Sequence, residues 1–156
     1  VGVSLRRERD TVALCVAIGD LGGALSFEDI THTLSDFADH ALDKALTRAF
    51  HERTPGEAPR GFAIIGLGKH GSRELNYSSD IDPIFLFDPE TLPRRDRDEP
   101  VEAAVRLGKR VIDLLQTRTG DGYAFRVDLR LRPSPEATPI ALPVARPFTT
   151  GVTRAR

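Results

Sequence analysis

The chain has 156 residues, of which 40% are hydrophobic and 29% charged, so it can bury the core of one domain. Its formal net charge of −1 gives no overall electrostatic argument for binding nucleic acid or a membrane surface. A single cysteine excludes an internal disulfide, no apolar stretch approaches the ~20 residues that span a bilayer, and no signal peptide is evident. We therefore expect a cytoplasmic protein with no nucleic-acid or membrane partner.

The first part of the chain, residues 1–53, is predicted to be a helical segment. One helix covers residues 5–19 and carries Cys15, which we expect to be a buried, reduced thiol because its neighbours are apolar. Ser26 is a good N-cap for a second helix that extends to about Arg53, with apolar residues at steps of three and four. Both helices are interpreted as scaffold that packs on a core.

Residues 60–144 are predicted to form the core of an α+β domain, in which strands and helices are mixed. The predicted elements are strands at 61–66, 81–87 and 123–131 and a helix at 101–117. Pro83 lies inside the second strand and cannot donate a hydrogen bond to a neighbouring strand. The pairing of that strand is therefore in question at this residue.

The glycine-rich turn at residues 66–71 supports more than one interpretation. It fits the three-glycine pattern of dinucleotide-binding folds, with Asp88 near the position of the acid that binds ribose. The interval 69–79 is short and polar, however, and offers little apolar surface for a crossover helix. The alternative is a phosphate-binding nest of backbone N–H groups, assisted by Lys69 and the Ser72 hydroxyl. An ordinary tight turn would have the same glycines.

Three aspartates indicate a metal-dependent site. Asp80 and Asp82 are two residues apart, so on a strand they share one face, and Asp128 lies in an alternating apolar and ionic segment. Carboxylates this close repel one another unless a cation neutralises them, and magnesium prefers such oxygen ligands. Asp80 and Asp82 would bind two Mg²⁺ ions; Asp128 would complete the second site and help to deprotonate an attacking hydroxyl. A structural strand facing solvent would show the same alternation at Asp128.

The basic residues near these aspartates have two interpretations each. Arg130 and Arg132 would offset phosphate charge, or else form ion pairs with Asp128. His70, in the glycine turn, is a candidate phosphate contact. The remaining histidines are expected to face solvent from the second helix or near it: His32, His40 and His51.

Two segments carry a family resemblance: residues 66–82, GLGKHGSRELNYSSDID, and residues 121–133, DGYAFRVDLRLRP. Together they resemble the glutamine synthetase adenylyltransferase family (glutamate–ammonia-ligase adenylyltransferase). The resemblance runs from the first helix to Val144, and implies a small mixed sheet of the nucleotidyltransferase type. A typical member is much larger and has two related nucleotidyltransferase domains, so only a minor part of it is matched.

The resemblance implies a function in nitrogen regulation. The C-terminal domain of such an enzyme attaches AMP from ATP to a tyrosine of glutamine synthetase, and the N-terminal domain removes it by phosphorolysis, yielding ADP. Nitrogen-signalling regulatory proteins and glutamine set the balance. The wording at 74–76 and 125–128 is more similar to the N-terminal, deadenylylating copy.

The resemblance also implies site residues. Metal ligation falls to Asp80, Asp82 and Asp128, and nucleotide contact to Gly71 and Ser72. With the basic and glycine residues discussed above, the predicted nucleotide-binding set is Gly68, Lys69, Gly71, Ser72, Ser79, Arg130 and Arg132. His70 replaces the usual apolar residue of the family, and Ser72 replaces a frequent glycine.

Residues 145–156 depart from the family and lack helical periodicity, so we expect an irregular tail from a truncated or frameshifted product. The chain also has no methionine and begins with Val1, which predicts a piece of a longer polypeptide or a non-standard start. Two alternatives to adenylyl transfer on glutamine synthetase stay open. One is a nucleotidyltransferase for a small molecule or a toxin-like target. The other is a remnant that binds nucleotide without turnover.

Overall fold

A computed structural model describes residues 2–144 and 150–154, with Arg154 described by its backbone alone. Its helices are α1 (Gly2–Leu21), α2 (Phe27–Arg53), the four-residue α3 (Gly68–Gly71) and α4 (Pro100–Gln116). Its strands are β1 (Phe62–Leu67), β2 (Asp82–Phe87), β3 (Ala141–Pro143) and β4 (Gly151–Arg154). The prediction of an α+β fold with a small mixed sheet is confirmed. None of the helices in the described ranges is long and apolar enough to cross a membrane.

The four strands form one sheet in the order β3-β2-β1-β4. β1 and β2 are antiparallel, whereas β1–β4 and β2–β3 are parallel pairs. In a dinucleotide-binding fold the strands on either side of the glycine turn would be parallel and joined by a crossover helix. Here a single helical turn, α3, leads into an antiparallel neighbour, so that interpretation of the glycines is wrong.

Pro83 is paired within the sheet, opposite Gly66. The amide of Asp88 donates to the carbonyl of Gly61, so Gly61 and Asp88 form a hydrogen-bonded pair. Hydrogen-bonded and non-hydrogen-bonded pairs alternate along an antiparallel ladder, and this alternation makes Pro83–Gly66 a non-hydrogen-bonded pair. The Pro83 nitrogen therefore faces the other edge of β2, where pairing with β3 begins only at Phe85. A missing N–H costs nothing at that position.

α2 is the central helix of the core. Its N-cap is Ser26, whose hydroxyl accepts from the amide of Asp29 while the Asp29 carboxylate accepts from the Ser26 amide, as predicted from the cap residue. Its apolar face packs on the sheet and on α4. Phe50 meets Phe62 edge to face, with ring centroids 6.4 Å apart, and Phe62 contacts Phe85 of β2 at 5.8 Å.

The predicted third strand at 123–131 is wrong. Only Val127 pairs with β-structure, through an isolated parallel bridge to Ile81 just before β2. The Asp128 carboxylate accepts from the backbone amide of Arg130, at 2.9 Å, and this local bond turns the chain away from an extended course. The edge of β2 beyond Pro83 is instead covered by β3.

The tail predicted to be irregular contains a strand. β4 pairs in parallel with β1, from Ala63–Gly151 to Gly66–Arg154, and its Val152 packs against the hydrophobic core. Four residues are too few for a periodic pattern, which is why the sequence concealed this strand. Thr150 is described as well and accepts from the amide of Phe62, whereas residues 145–149, 155 and 156 lie outside the described residues.

Cys15 is exposed, so the expectation of a buried thiol is wrong. α1 runs from Gly2 to Leu21 and packs on the domain by one side only, through fully buried residues such as Leu5. Cys15 shares its outer side with other exposed apolar residues, Leu14, Ile18 and Leu21. An apolar run therefore did not distinguish a helix buried all round from one buried on a single side.

An ion pair between Glu52, near the C-terminus of α2, and Arg110 of α4 predicts that the stability of the chain depends on pH. Glu52 accepts two hydrogen bonds from Arg110, at 2.6 and 3.2 Å, and one from Arg48 at 2.7 Å. The Arg110 guanidinium lowers the pKa of Glu52 from 4.5 to about 2. A carboxylate with a depressed folded-state pKa contributes fully above its unfolded pKa and loses that contribution as the pH falls through its folded one.

We expect Glu52→Gln to lower the free energy of unfolding by about 1 kcal/mol at pH 7, with the loss vanishing near pH 2. Urea unfolding at the two pH values measures this. Glu102→Gln is the matched control, because Glu102 pairs with Arg106 inside α4 and its side chain is 60% exposed. Equal losses from the Glu52 variant at both pH values would contradict the assignment.

Candidate active site

The three predicted aspartates lie on one face of neighbouring segments. Ile81, between Asp80 and Asp82, is fully buried, so the aspartates on either side of it are directed away from the core. The parallel bridge of Ile81 to Val127 sets Asp82 beside Asp128 in register. Backbone bonds secure this bridge on both sides: Ile81 N to Arg126 O at 3.0 Å, and Asp128 N to Ile81 O at 2.9 Å.

Electrostatics reports the same convergence. Partial burial raises the pKa of the Asp82 carboxyl, and the charges of Asp128 and then Asp80 raise it further. Within residues 2–144 and 150–154, however, no group of three or more His, Cys, Asp or Glu side chains is arranged to hold a metal ion.

Two of the three carboxylates, those of Asp80 and Asp128, form ion pairs with arginines. The Arg126 Nε donates to Asp80 at 2.5 Å. The Arg130 guanidinium donates to both Asp128 oxygens, with Nε 2.8 Å from Oδ2, and lowers the pKa of that carboxyl. The ion pair weighed as the alternative role of Arg130 is thus present. Asp82 lies between two carboxylates that are each neutralised by a guanidinium.

Arg126 was not predicted as a site residue. Besides Asp80, its guanidinium donates to the Ser78 carbonyl at 2.7 Å and to the Tyr123 hydroxyl at 3.0 Å. The Tyr123 ring also lies beneath the guanidinium of Arg9 from α1, 4.9 Å from the ring centroid. The alternation around Asp128 marked Arg126 as part of an ionic face, but nothing in the sequence joins it to an aspartate 46 positions earlier.

The glycine turn lies directly against the carboxylates. Gly68 is exposed and has a φ of +54°, a conformation that favours glycine. A Cβ at this position would come within 2.7 Å of the Asp82 Oδ2. The absence of a side chain therefore lets the backbone of α3 approach the acidic face, as a phosphate-binding turn requires.

The other residues predicted to contact the nucleotide differ in their hydrogen-bond partners. Lys69 is exposed, and Gly71 ends α3. The Ser72 hydroxyl donates to Glu74 at 3.0 Å, and that of Ser79 donates to Asn76 at 3.0 Å. The guanidinium of Arg132 donates to backbone carbonyls, those of Leu129 and Pro135, instead of to the carboxylates.

His70 does not face a phosphate site. Its side chain is fully buried, and its Nε2 is 2.6 Å from the Asp39 Oδ1 of α2, so the suggested phosphate contact is wrong. The histidines predicted to face solvent do so: His32, His40 and His51. His40 is in addition 3.2 Å from Glu8 of α1. Asp39 is a second residue that sequence reasoning missed.

The fold and the site describe a small α+β domain with an acidic cluster beside a glycine turn. A family model described as glutamate-ammonia ligase adenylyltransferase matches residues 2–147. The chain belongs to this family. The match passes slightly beyond Val144, where the resemblance was predicted to end.

Curated relatives agree with this assignment, and each is named a bifunctional glutamine synthetase adenylyltransferase/adenylyl-removing enzyme. The one from Caulobacter vibrioides is 43% identical over 152 residues, and that from Rhizobium meliloti 44% over 151, each match covering 90% of this chain and 15% of the relative. The relative from Xanthobacter autotrophicus is 42% identical over 153 residues, covering 91% and 16%. The chain thus spans about 15% of the length of the curated relatives it matches.

The contact of Gly68 with Asp82 predicts the effect of adding one methyl group. We expect Gly68→Ala to lower the free energy of unfolding by about 2 kcal/mol, because the positive φ strains an alanine and the Asp82 carboxylate must shift away from the new Cβ. Chemical unfolding followed by circular dichroism measures the loss.

Two other glycines, Gly120 and Gly122, separate the effect of backbone strain from that of the close approach to a carboxylate. Gly122 has a φ of +78° but open space around it, so Gly122→Ala should cost about 1 kcal/mol from strain alone. Gly120 has open space and no positive φ, so Gly120→Ala should change stability by less than about 0.5 kcal/mol. If Gly68→Ala cost no more than Gly122→Ala, the added cost expected from the close approach of Gly68 to Asp82 would be contradicted.

Proposed function

We propose that this chain supplies the acidic centre for adenylyl transfer that regulates glutamine synthetase, and that it acts as the part that removes AMP by phosphorolysis. The observation that carries the proposal is the convergence of Asp80, Asp82 and Asp128 beside Gly68 in a chain of this family. The names of the relatives include both adenylyl transfer and adenylyl removal. The similarity of residues 74–76 and 125–128 to the deadenylylating copy favours removal.

The three carboxylates have the chemistry that a divalent cation requires, although among the described residues two of them are paired with arginines and the three are not arranged around an ion. Asp80, Asp82 and Asp128 offer the hard oxygen ligands that Mg²⁺ prefers. Partial burial raises the pKa of Asp82, the charges of Asp128 and Asp80 add to the rise, and a bound cation would offset both effects. We assign these three residues to two Mg²⁺ ions, which when bound would neutralise charge on the attacking and leaving oxygens. Asp80 and Asp128 would first release Arg126 and Arg130.

The nucleotide would lie along the glycine turn. The exposed backbone at Gly68 permits a phosphate to come close, and Lys69 and Ser72 offer a cation and a hydroxyl beside it. Gly71, at the end of α3, and Ser79 are assigned to the same nucleotide site. Arg130, once released by Asp128, would pair with phosphate oxygens, and Arg132 would do so on leaving the carbonyls it now contacts.

The proposed reaction is attack of inorganic phosphate on the phosphorus of the AMP–tyrosine linkage. A phosphate oxygen forms a new P–O bond, the bond from phosphorus to the tyrosine oxygen breaks, and ADP and free tyrosine result. Asp128 would accept the proton of the attacking phosphate hydroxyl, and the leaving tyrosine oxygen takes up a proton. In a longer enzyme, nitrogen-signalling proteins would regulate this step.

The reaction predicts ADP release from adenylylated glutamine synthetase in the presence of phosphate and Mg²⁺. We expect Asp82→Asn to slow the release by about 10²–10³-fold, because an amide neither carries charge nor binds Mg²⁺ strongly. Asp113→Asn, on the exposed side of α4, is the matched control and should leave the rate unchanged. Release at the parental rate by Asp82→Asn would refute the acidic centre.

The products distinguish the rival functions. AMP incorporation from ATP into glutamine synthetase, with no ADP release, would reverse the assigned direction. Transfer to other acceptors alone would indicate a different nucleotidyltransferase. Calorimetric binding of Mg-ADP without any turnover would indicate a nucleotide-binding remnant.

Metal binding has a prediction of its own. If Mg²⁺ binds the folded chain and not the unfolded one, it raises the free energy of unfolding, by about 2.7 kcal/mol at a concentration 100 times the Kd. We expect a rise in Tm with Mg²⁺ for the parent chain and none for Asp82→Asn, with EDTA reversing the rise. An equal rise in both proteins would place the ion elsewhere.

A further inference from the structure

The buried imidazole of His70 has one partner. Its Nε2 is 2.6 Å from the Asp39 Oδ1, whereas its Nδ1 is buried and has no hydrogen-bond partner among the described residues. An ionised carboxylate can only accept, so the Nε2 carries a hydrogen and donates it to Asp39. The hydrogen bond to Asp39 is therefore what satisfies this imidazole in the interior.

The position of the ring is tied to the path of the glycine turn. His70 belongs to α3, one turn of helix that begins at Gly68. The Nδ1 edge of the ring lies over Gly66, where an added Cβ would be only 2.6 Å away. The ring thus packs on the end of β1 while its backbone continues from the residue that touches Asp82.

A second contact joins the segment that follows α3 to α2, but it is more exposed than the Asp39–His70 pair. Arg73 donates to both oxygens of Asp36, at 2.8 and 2.9 Å, yet the Asp36 side chain is 59% exposed. The Asp39–His70 pair has a fully buried member and a shorter separation. A hydrogen bond in a low-dielectric interior is worth more than an exposed ion pair, and its loss costs more.

We propose that Asp39 is a positioning residue for the site, which holds the glycine turn against Asp82 through the His70 imidazole. Without the Asp39 carboxylate the ring would have no partner on either nitrogen, a state that is costly in an interior. The ring would then move toward water and displace the backbone between Gly66 and Gly68. The identity of the nucleotide at this turn rests on the proposed function; the linkage of Asp39 to the turn does not.

Two variants and a rescue test the proposal. Asp39→Ala should increase amide exchange at Ser72 and Glu74, whose N–H groups donate to carbonyls of α3, by at least about tenfold. It should also weaken Mg-ADP binding, measured by calorimetry well below the Tm, by about tenfold. Asp36→Ala removes the same charge from the same helix face and should change each quantity less than about threefold.

The rescue is the double variant Asp39→Ala with His70→Leu. Leucine has a volume close to that of histidine and needs no hydrogen-bond partner, so the turn can pack without Asp39. We expect exchange and Mg-ADP affinity to return to within about threefold of the parent. A general loss of stability from removing Asp39 would lower Tm in both variants without this recovery.

The outcomes separate this inference from the function. Unchanged exchange at 72–74 in Asp39→Ala, equal effects of Asp36→Ala, or a double variant as impaired as Asp39→Ala would each overturn the positioning role. If Asp39→Ala does not fold, a folded double variant supports the pairing and an unfolded one refutes it. If the parent binds no Mg-ADP, the proposed function fails, and the exchange measurements still decide the role of Asp39.

Discussion

The site depends on how three carboxylates are kept together against their mutual repulsion. Asp82 is the partly buried member, and burial first, then the charges of Asp128 and Asp80, raise the pKa of its carboxyl. Arg126 and Arg130 offset two of those charges. The cluster is therefore built to be balanced by positive charge, and guanidinium groups provide that balance in the structure described here. A cation is the other species that could do so.

Strand pairing places the carboxylates and the glycine turn at one end of the sheet. The bridge between Ile81 and Val127 puts Asp128 beside Asp82, and the antiparallel pairing of β1 with β2 returns the glycine turn to the same end of the sheet. Leu67 pairs with Asp82, so the next residue, Gly68 at the start of α3, comes against the Asp82 carboxylate. α2 contributes from outside the sheet, through Asp39. The glycine turn is therefore joined, through the Asp39–His70 hydrogen bond, to a helix that precedes it by many residues.

What could be predicted from the sequence followed from short-range rules. The cap at Ser26, the strands beside the glycine turn and the shared face of Asp80 and Asp82 all rest on spacing within a few residues. What was missed depends on partners far along the chain: Asp39 is 31 positions from His70, and Arg126 is 46 from Asp80. The strand predicted at 123–131 failed because a local carboxylate–amide bond competed with the ladder.

The two arginines of the cluster are not equivalent. Arg126 is anchored by Asp80, by the Ser78 carbonyl and by Tyr123, so it would stay beside the site after giving up the carboxylate. The Arg130 side chain is 86% exposed and is bonded to the acid two positions before it. Its guanidinium is therefore free to swing once Asp128 is taken by a cation. If the proposed function holds, an incoming phosphate would meet one fixed and one mobile positive charge, and Arg126 would be the better determinant of where that phosphate is placed.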